Sequence, residues 1–180
     1  MADVFEWKPG LSPWRDRLWG LINDTPSLDW LLLTKRPHLV TRLAPWDRDW
    51  PTNVWLGTTV ENQKFAGKRI DELLKVPAHV RFLSCEPLLG PLDLSPWIRD
   101  LNWVIAGGES GPHSRQSQPG WFRSLRDQCK DAKVGFHFKQ WGDWFPLEDS
   151  PQMVRFERRG KARAGRVLDG QTWDERPNVF

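Results

Sequence analysis

Apolar residues recur along this chain in two rhythms. Five short runs are almost continuously apolar: "DWLLLTKRP" (29–37), "NVWLGTTVEN" (53–62), "VRFLSCEP" (80–87), "NWVIAGGES" (102–110) and "VGFHFKQWG" (134–142). Unbroken runs of this length predict buried strands of a parallel sheet, covered on both faces, rather than the alternation of a half-exposed antiparallel one. Between them, apolar residues repeat at helical spacing. "SPWRDRLWGLIND" (12–24) offers Ser12 as N-cap and Pro13 as the first helical residue, with Trp14, Leu18, Leu21 and Ile22 on one face. "ENQKFAGKRIDELLKV" (61–76) aligns Phe65, Ile70, Leu73 and Leu74, and "PGWFRSLRDQCKDAK" (119–133) aligns Trp121, Phe122, Leu125 and Cys129. "RPHLVTRL" (36–43) predicts a shorter helix.

Gaps of roughly fifteen to twenty-five residues between the runs suit β–α–β crossovers. The pattern predicts an α/β fold over residues 1–145. It fades over 146–180, which reads as an irregular basic extension with turns at Arg159-Gly160 and Asp169-Gly170.

Composition changes this picture little. The 180 residues are 39% hydrophobic and 27% charged, as in a globular domain. Thirteen Trp and no Tyr are unusual, and many indole N–H groups must find partners at polar borders. Two cysteines, Cys85 and Cys129, with no CxxC pair, argue against a disulfide scaffold or a zinc site. No apolar run is long enough to span a membrane, and "MADVFEWKPG" is not a signal peptide, so the expected location is cytoplasmic.

Net charge is +3, and the one basic cluster is "RFERRGKARAGR", with Arg155, Arg158, Arg159, Lys161, Arg163 and Arg166. It is a solvated tail or a candidate phosphate-contacting segment for nucleic acid.

Candidate chemistry lies where the strands end. The first run ends in Lys35 and Arg36, the second in Glu61, the third in Glu86, the fourth in Gly107, Gly108 and Glu109, and the fifth in Lys139 and Gln140. In a parallel α/β fold these ends share one edge, which is where ligands bind. Three carboxylates and two lysines there suit a polar, zwitterionic or metal-associated ligand, and the paired glycines let a backbone approach it closely. His38, His79, His113 and His137 lack metal-ligand spacing, and Cys85 reads as a small filler of a strand end rather than a nucleophile. Trp55, Trp103 and Trp141 read as core or rim residues rather than base-stacking platforms.

The segments "LLLTKRP", "NVWLGTTVENQ", "VRFLSCEPLLGPL", "WVIAGGESGP", "FKQWG" and "AGRVLDGQTWDERP" resemble the phage-associated gp thirty-seven/sixty-eight family, found in phages and bacteria and also classed as a domain of unknown function. The likeness runs in order over nearly all of the chain. It implies a radical S-adenosylmethionine-like (β/α) TIM barrel in which the five runs are strands four to eight, a partial barrel. Full-length members carry a cysteine-rich segment after the first strand. Three such thiolates hold an iron–sulfur cluster whose remaining iron takes the amino and carboxylate groups of S-adenosylmethionine. A relation to DNA-repair lyases and a role with nucleic acid come with the resemblance.

This chain departs from that pattern. No cysteine precedes Cys85, and "MADVFE" resembles a segment usually reading M-x-D-L-F-H, with Glu6 in place of the histidine. The expectation is a truncated product, a misplaced start or the C-terminal piece of a split protein that pairs with a separate N-terminal half. The chain would supply the cofactor-facing wall through Lys35, Glu61, Glu86, Gly107, Gly108, Glu109, Lys139 and Gln140, and would lack radical chemistry alone. Two other readings stand beside this one: a nucleic-acid-binding module without catalysis, and a metal-dependent hydrolase built on Glu61, Glu86 and Glu109.

Overall fold

The computed structural model describes residues 3–150 and 153–177. Helix α1 (Ser12–Asp24) leads into strand β1 (Trp30–Thr34), followed by the short α2 (Val40–Leu43) and strand β2 (Val54–Thr59). Next come α3 (Gln63–Leu74), β3 (Arg81–Cys85), β4 (Trp103–Gly107), α4 (Pro119–Ala132) and β5 (Gly135–Gln140). An antiparallel hairpin of β6 (Trp144–Ser150) and β7 (Met153–Arg158) and the short α5 (Lys161–Ala164) complete the order. All five predicted strands are present and parallel, in the spatial order β1-β2-β3-β4-β5. They form an open sheet rather than a closed barrel, since β1 and β5 are its two edges.

This order has a physical consequence. Right-handed crossovers between strands that always advance in one direction place every connection on the same face. That face is the main core. Leu32, Leu56, Leu83, Cys85, Val104, Ala106, Phe136 and Phe138 face helix residues such as Ile70, Leu73, Phe122 and Leu125. The opposite face carries a separate small cluster of Trp55, Val80, Phe82 and Trp103, with Ile105 against it. Among the described residues no helix layer covers these rings, and they cover one another: Trp103 lies edge-on to Trp55 at 6.4 Å and to His137 at 6.0 Å. Phe82 fills the space over Gly57, where a Cβ would lie 2.3 Å from its ring.

Burial on both faces therefore holds for β2, which is buried throughout, but not for β1, where Leu31 and Leu33 are 44% and 42% exposed. Helix α1 also differs from its predicted face. Arg15, Trp19 and Ile22 are buried, while Trp14 and Leu21 are exposed, because the guanidinium of Arg15 turns inward to donate to the Val4 and Glu6 carbonyls. Ser12 is the first helical residue rather than the cap and makes no capping bond.

Residues 146–180, read as irregular, contain most of the hairpin and a segment that packs on the sheet. Phe138 N–H donates to the Trp173 carbonyl and Glu175 N–H to that of Phe136, so residues 173–175 lie antiparallel along the outer edge of β5. The predicted Asp169-Gly170 turn is present, with φ of 53° and 81°, the left-handed pair of a two-residue hairpin turn. Among the described residues, no helix is long and apolar enough to cross a membrane.

Candidate functional site

Parallel pairing does bring the predicted strand ends to one edge. Lys35 follows β1 directly, and its Nζ donates to Glu61 Oε1 at 2.8 Å. The second carboxylate oxygen of Glu61 accepts from Arg69 Nη1 at 2.6 Å. Arg69 reaches back because Asn62 caps α3, its side chain accepting from Lys64 N–H and setting the helix to start beside Glu61. Burial opposes the charge on Glu61, but the Lys35 hydrogen bond and the Arg69 and Lys35 charges outweigh it and hold the pKa below the usual carboxylate range.

Glu86 follows β3 and reaches across the end of β4 to Lys139 on β5, with Oε2 3.1 Å from Nζ. Gly107 makes this crossing possible, since a Cβ there would lie 2.7 Å from Glu86 Oε1. Ser84 Oγ donates to the same carboxylate at 3.4 Å.

Glu109 is held by its own loop. Arg115 grips it with Nε and Nη2 at 2.8 and 2.7 Å, and the Arg115 N–H adds a third bond at 2.8 Å. These bonds close the loop after β4 on itself and lower the Glu109 pKa. Gly108 also has a structural cause: its N–H donates to the Gln140 carbonyl, and a Cβ would lie 1.8 Å from the Trp141 carbonyl oxygen. The Gln140 side chain makes only long contacts, 3.5 Å to the Gly108 carbonyl and to Ser110.

The rim is thus paired charge by charge, with a consistent vertical order. The side chains of Lys35 and Lys139 are 56% and 52% exposed, while those of Glu61 and Glu86 are 10% and 18% exposed. Carboxylates lie beneath and ammonium groups above, so an incoming ligand meets cations first. Arg115 feels the charge of Glu61 as well as that of Glu109, which links the rim electrostatically from β2 to β4.

Three participants escaped the sequence reading. Arg69 and Arg115 sit on a helix and in a loop, where their spacing signals nothing. Asp3 accepts from Thr34 Oγ1, Lys35 N–H and Arg36, fixing the end of β1 from a distant segment. Glu6, in the position of the expected histidine, pairs with Arg36 at 3.3 Å.

Among the described residues, no group of three His, Cys, Asp or Glu side chains is arranged to hold a metal ion. Cys85 and Cys129 are both completely buried among the residues that face the helices. Burial pushes the Cys85 thiol well up and that of Cys129 up to about 12, which makes both unreactive. These two thiols do not fit an iron–sulfur cluster at the rim.

The basic segment largely serves the chain itself. Arg158 donates to the Gly111 and Pro112 carbonyls, Arg159 pairs with Glu157 and lies 4.1 Å over the Phe145 ring, and Arg163 donates to the Arg159 carbonyl. Arg166 pairs with Asp174, and Lys161 is exposed on α5. Arg155, on β7, also interacts within the chain.

Acid should weaken the fold in two stages. Burial, aided by the Arg166 charge, keeps the His137 pKa below 6.5 against the pull of Glu86. As pH falls through 6.5 the unfolded chain binds that proton first, so stability drops until the folded value is passed. The contribution of Glu61 is complete above the ordinary carboxylate pKa of 4.5 and is lost as pH falls toward its lower folded value. Urea denaturation against pH should show both falls, and His137→Gln should remove only the first. A flat profile through the histidine range would refute the assignment.

These features define a class: a singly wound parallel α/β protein whose strand carboxyl ends carry a cation-topped, ion-paired rim. The chain belongs to the family described as "Protein of unknown function (DUF5131)", whose model matches residues 1–177. Searches of curated proteins and of solved structures found no match.

Proposed function

We propose that the strand-end rim binds a zwitterionic, nucleoside-derived ligand of the S-adenosylmethionine type, and that the chain is the cofactor-facing wall of a radical S-adenosylmethionine-like protein. One observation carries this reading: Lys35 and Lys139 stand at the carboxyl ends of parallel strands, each held upright by a less exposed carboxylate. That edge is where open α/β sheets take ligands. Glu61 and Glu86 position the two ammonium groups, and the ammonium groups meet the ligand carboxylate. S-adenosylmethionine would supply the reactive sulfonium. This chain has no thiolate set for a cluster, and no chemical step is assigned to it.

Calorimetric titration with S-adenosylhomocysteine tests the reading. Saturable binding is expected, and Lys35→Ala or Lys139→Ala should each weaken it about tenfold or more, the worth of a lost charged hydrogen bond. Lys133→Ala, at the far end of α4, should leave binding unchanged. Absence of saturable binding, or equal affinity in all three variants, would overturn the proposal.

A further inference from the structure

The rim offers hydrogen-bond acceptors as well as cations. Glu86 uses one carboxylate oxygen, Oε2, for both Lys139 and Ser84. Its Oε1 lies over Gly107 and takes no donor among the described residues. Two residues before Lys139 on β5, His137 shares the face opposite Phe136 and Phe138 and lies against the Trp103 ring. Its side chain is 24% exposed, and it feels the charges of both Glu86 and Lys139.

The C-terminal segment decides which nitrogen of His137 is free. His137 lies opposite Asp174 in an antiparallel bridge. The bonds from Phe138 N–H to Trp173 and from Glu175 N–H to Phe136 bracket this pair. It is therefore a non-hydrogen-bonded pair, the kind whose side chains come closest. Asp174 Oδ1 lies 3.5 Å from His137 Nδ1, and Arg166 holds the same carboxylate. A carboxylate beside Nδ1 favours the proton on that nitrogen, which leaves the Nε2 lone pair as the acceptor. Burial and the charges of Arg166, Lys139 and Arg176 keep the ring neutral at pH 7 against the pull of Glu86.

Two acceptors beside a cation are the complement of an α-amino acid end. An ammonium group has three donors and no acceptor, and the carboxylate next to it has only acceptors. The vertical order of the rim suits this polarity, with Lys139 above and Glu86 beneath. We propose that Glu86 Oε1 and His137 Nε2 receive the ammonium group of the ligand while Lys139 receives its carboxylate, an assignment that rests on the ligand reading of the rim. The site then selects an intact amino acid end rather than a carboxylate alone. Arg166 and Asp174 position His137, which makes the C-terminal segment part of the site. Protonation of His137 removes its acceptor and sets an imidazolium against the ammonium. Affinity therefore falls in acid, by up to about tenfold per pH unit below the His137 pKa of the free protein, which itself lies below 6.5.

Calorimetry on the full chain compares S-adenosylhomocysteine with its deaminated analogue, which keeps the carboxylate. Near neutral pH the wild type should bind the amino form about tenfold or more tightly than the analogue, the worth of a charged hydrogen bond. His137→Leu should shrink that preference. His137→Gln, which keeps a neutral acceptor, should retain it but lose the fall in acid. Proton NMR of the His137 ring gives a second readout: S-adenosylhomocysteine should lower its pKa, and the analogue should not. Equal binding of the two compounds overturns the proposal and leaves the rim as a carboxylate site. So does a His137 pKa that S-adenosylhomocysteine raises or leaves unchanged. Binding of neither compound overturns the ligand reading and this assignment together.

Discussion

Phe138→Ala is expected to lower the free energy of unfolding by about 3–5 kcal/mol, the range for emptying a fully buried aromatic site. Phe138 is 0% exposed on the helix face of β5. Its ring lies 4.9 Å from both Phe122 and Trp141, which are themselves 5.3 Å apart. These three rings join the last strand to α4 and to the chain that leaves the rim. Removing the central ring leaves a void bounded by two rigid neighbours that collapse poorly into it. Lys139→Ala, one residue on and facing the other way, should cost no more than about 1 kcal/mol, as for an exposed ion pair. Equilibrium urea denaturation compares the two. A loss below about 1 kcal/mol for Phe138→Ala would mean that the aromatic trio does not close this end of the core.

Gly108→Ala should be nearly as damaging, at about 3 kcal/mol or more, for a different reason. No cavity forms. The new methyl group would meet the backbone oxygen of Trp141 at 1.8 Å, and a carbonyl held in place cannot step aside as a flexible side chain can. Two backbone bonds hold that approach, Gly108 N–H to Gln140 and Asp143 N–H to Glu109. Relief requires breaking at least one of them, which moves Glu109 and the loop that Arg115 closes. Gly20→Ala is the internal control. It lies inside α1 with nothing within 4 Å of its Cβ position, and it should stabilise the protein by up to about 1 kcal/mol. Similar melting curves for the two alanine variants would show that the strand-end approach yields easily.

Much of the framework was legible in the sequence because local patterns report local burial. The continuous apolar runs around Leu32, Leu56, Leu83, Val104 and Phe136 marked the parallel strands, and the spacing of Ile70 with Leu73 and of Phe122 with Leu125 marked the helices packed on them. The pattern misled at β1 because it assumed a covering layer on both sides, and a sheet whose crossovers all lie on one face has only one, so Leu31 and Leu33 are exposed. It misled at α1 for another reason: the Arg15 guanidinium turns inward, and Trp14 and Leu21 are exposed. The tail was also opaque. Trp173 and Glu175 lack strand periodicity, and they pair with β5 only because that edge offers free backbone groups.

The rim was half legible. Lys35, Glu61, Glu86 and Lys139 could be named because a charge ending an apolar strand is visible in one dimension. The pairing of those charges was not visible. Glu61 shares Lys35 and Arg69, Glu86 passes over Gly107 to Lys139, and Glu109 turns away to Arg115. Each partnership joins residues from different elements.

The sequence by itself therefore determined which residues form strands and helices, and that charges gather where the strands end, since hydrophobic period and strand length are properties of short segments. Only the tertiary structure decided which face of the sheet is covered, that residues 173–175 line the edge of β5, which carboxylate holds which cation, and which glycines make room for their own chain. Those outcomes depend on distances between segments, set by the direction in which each crossover returns.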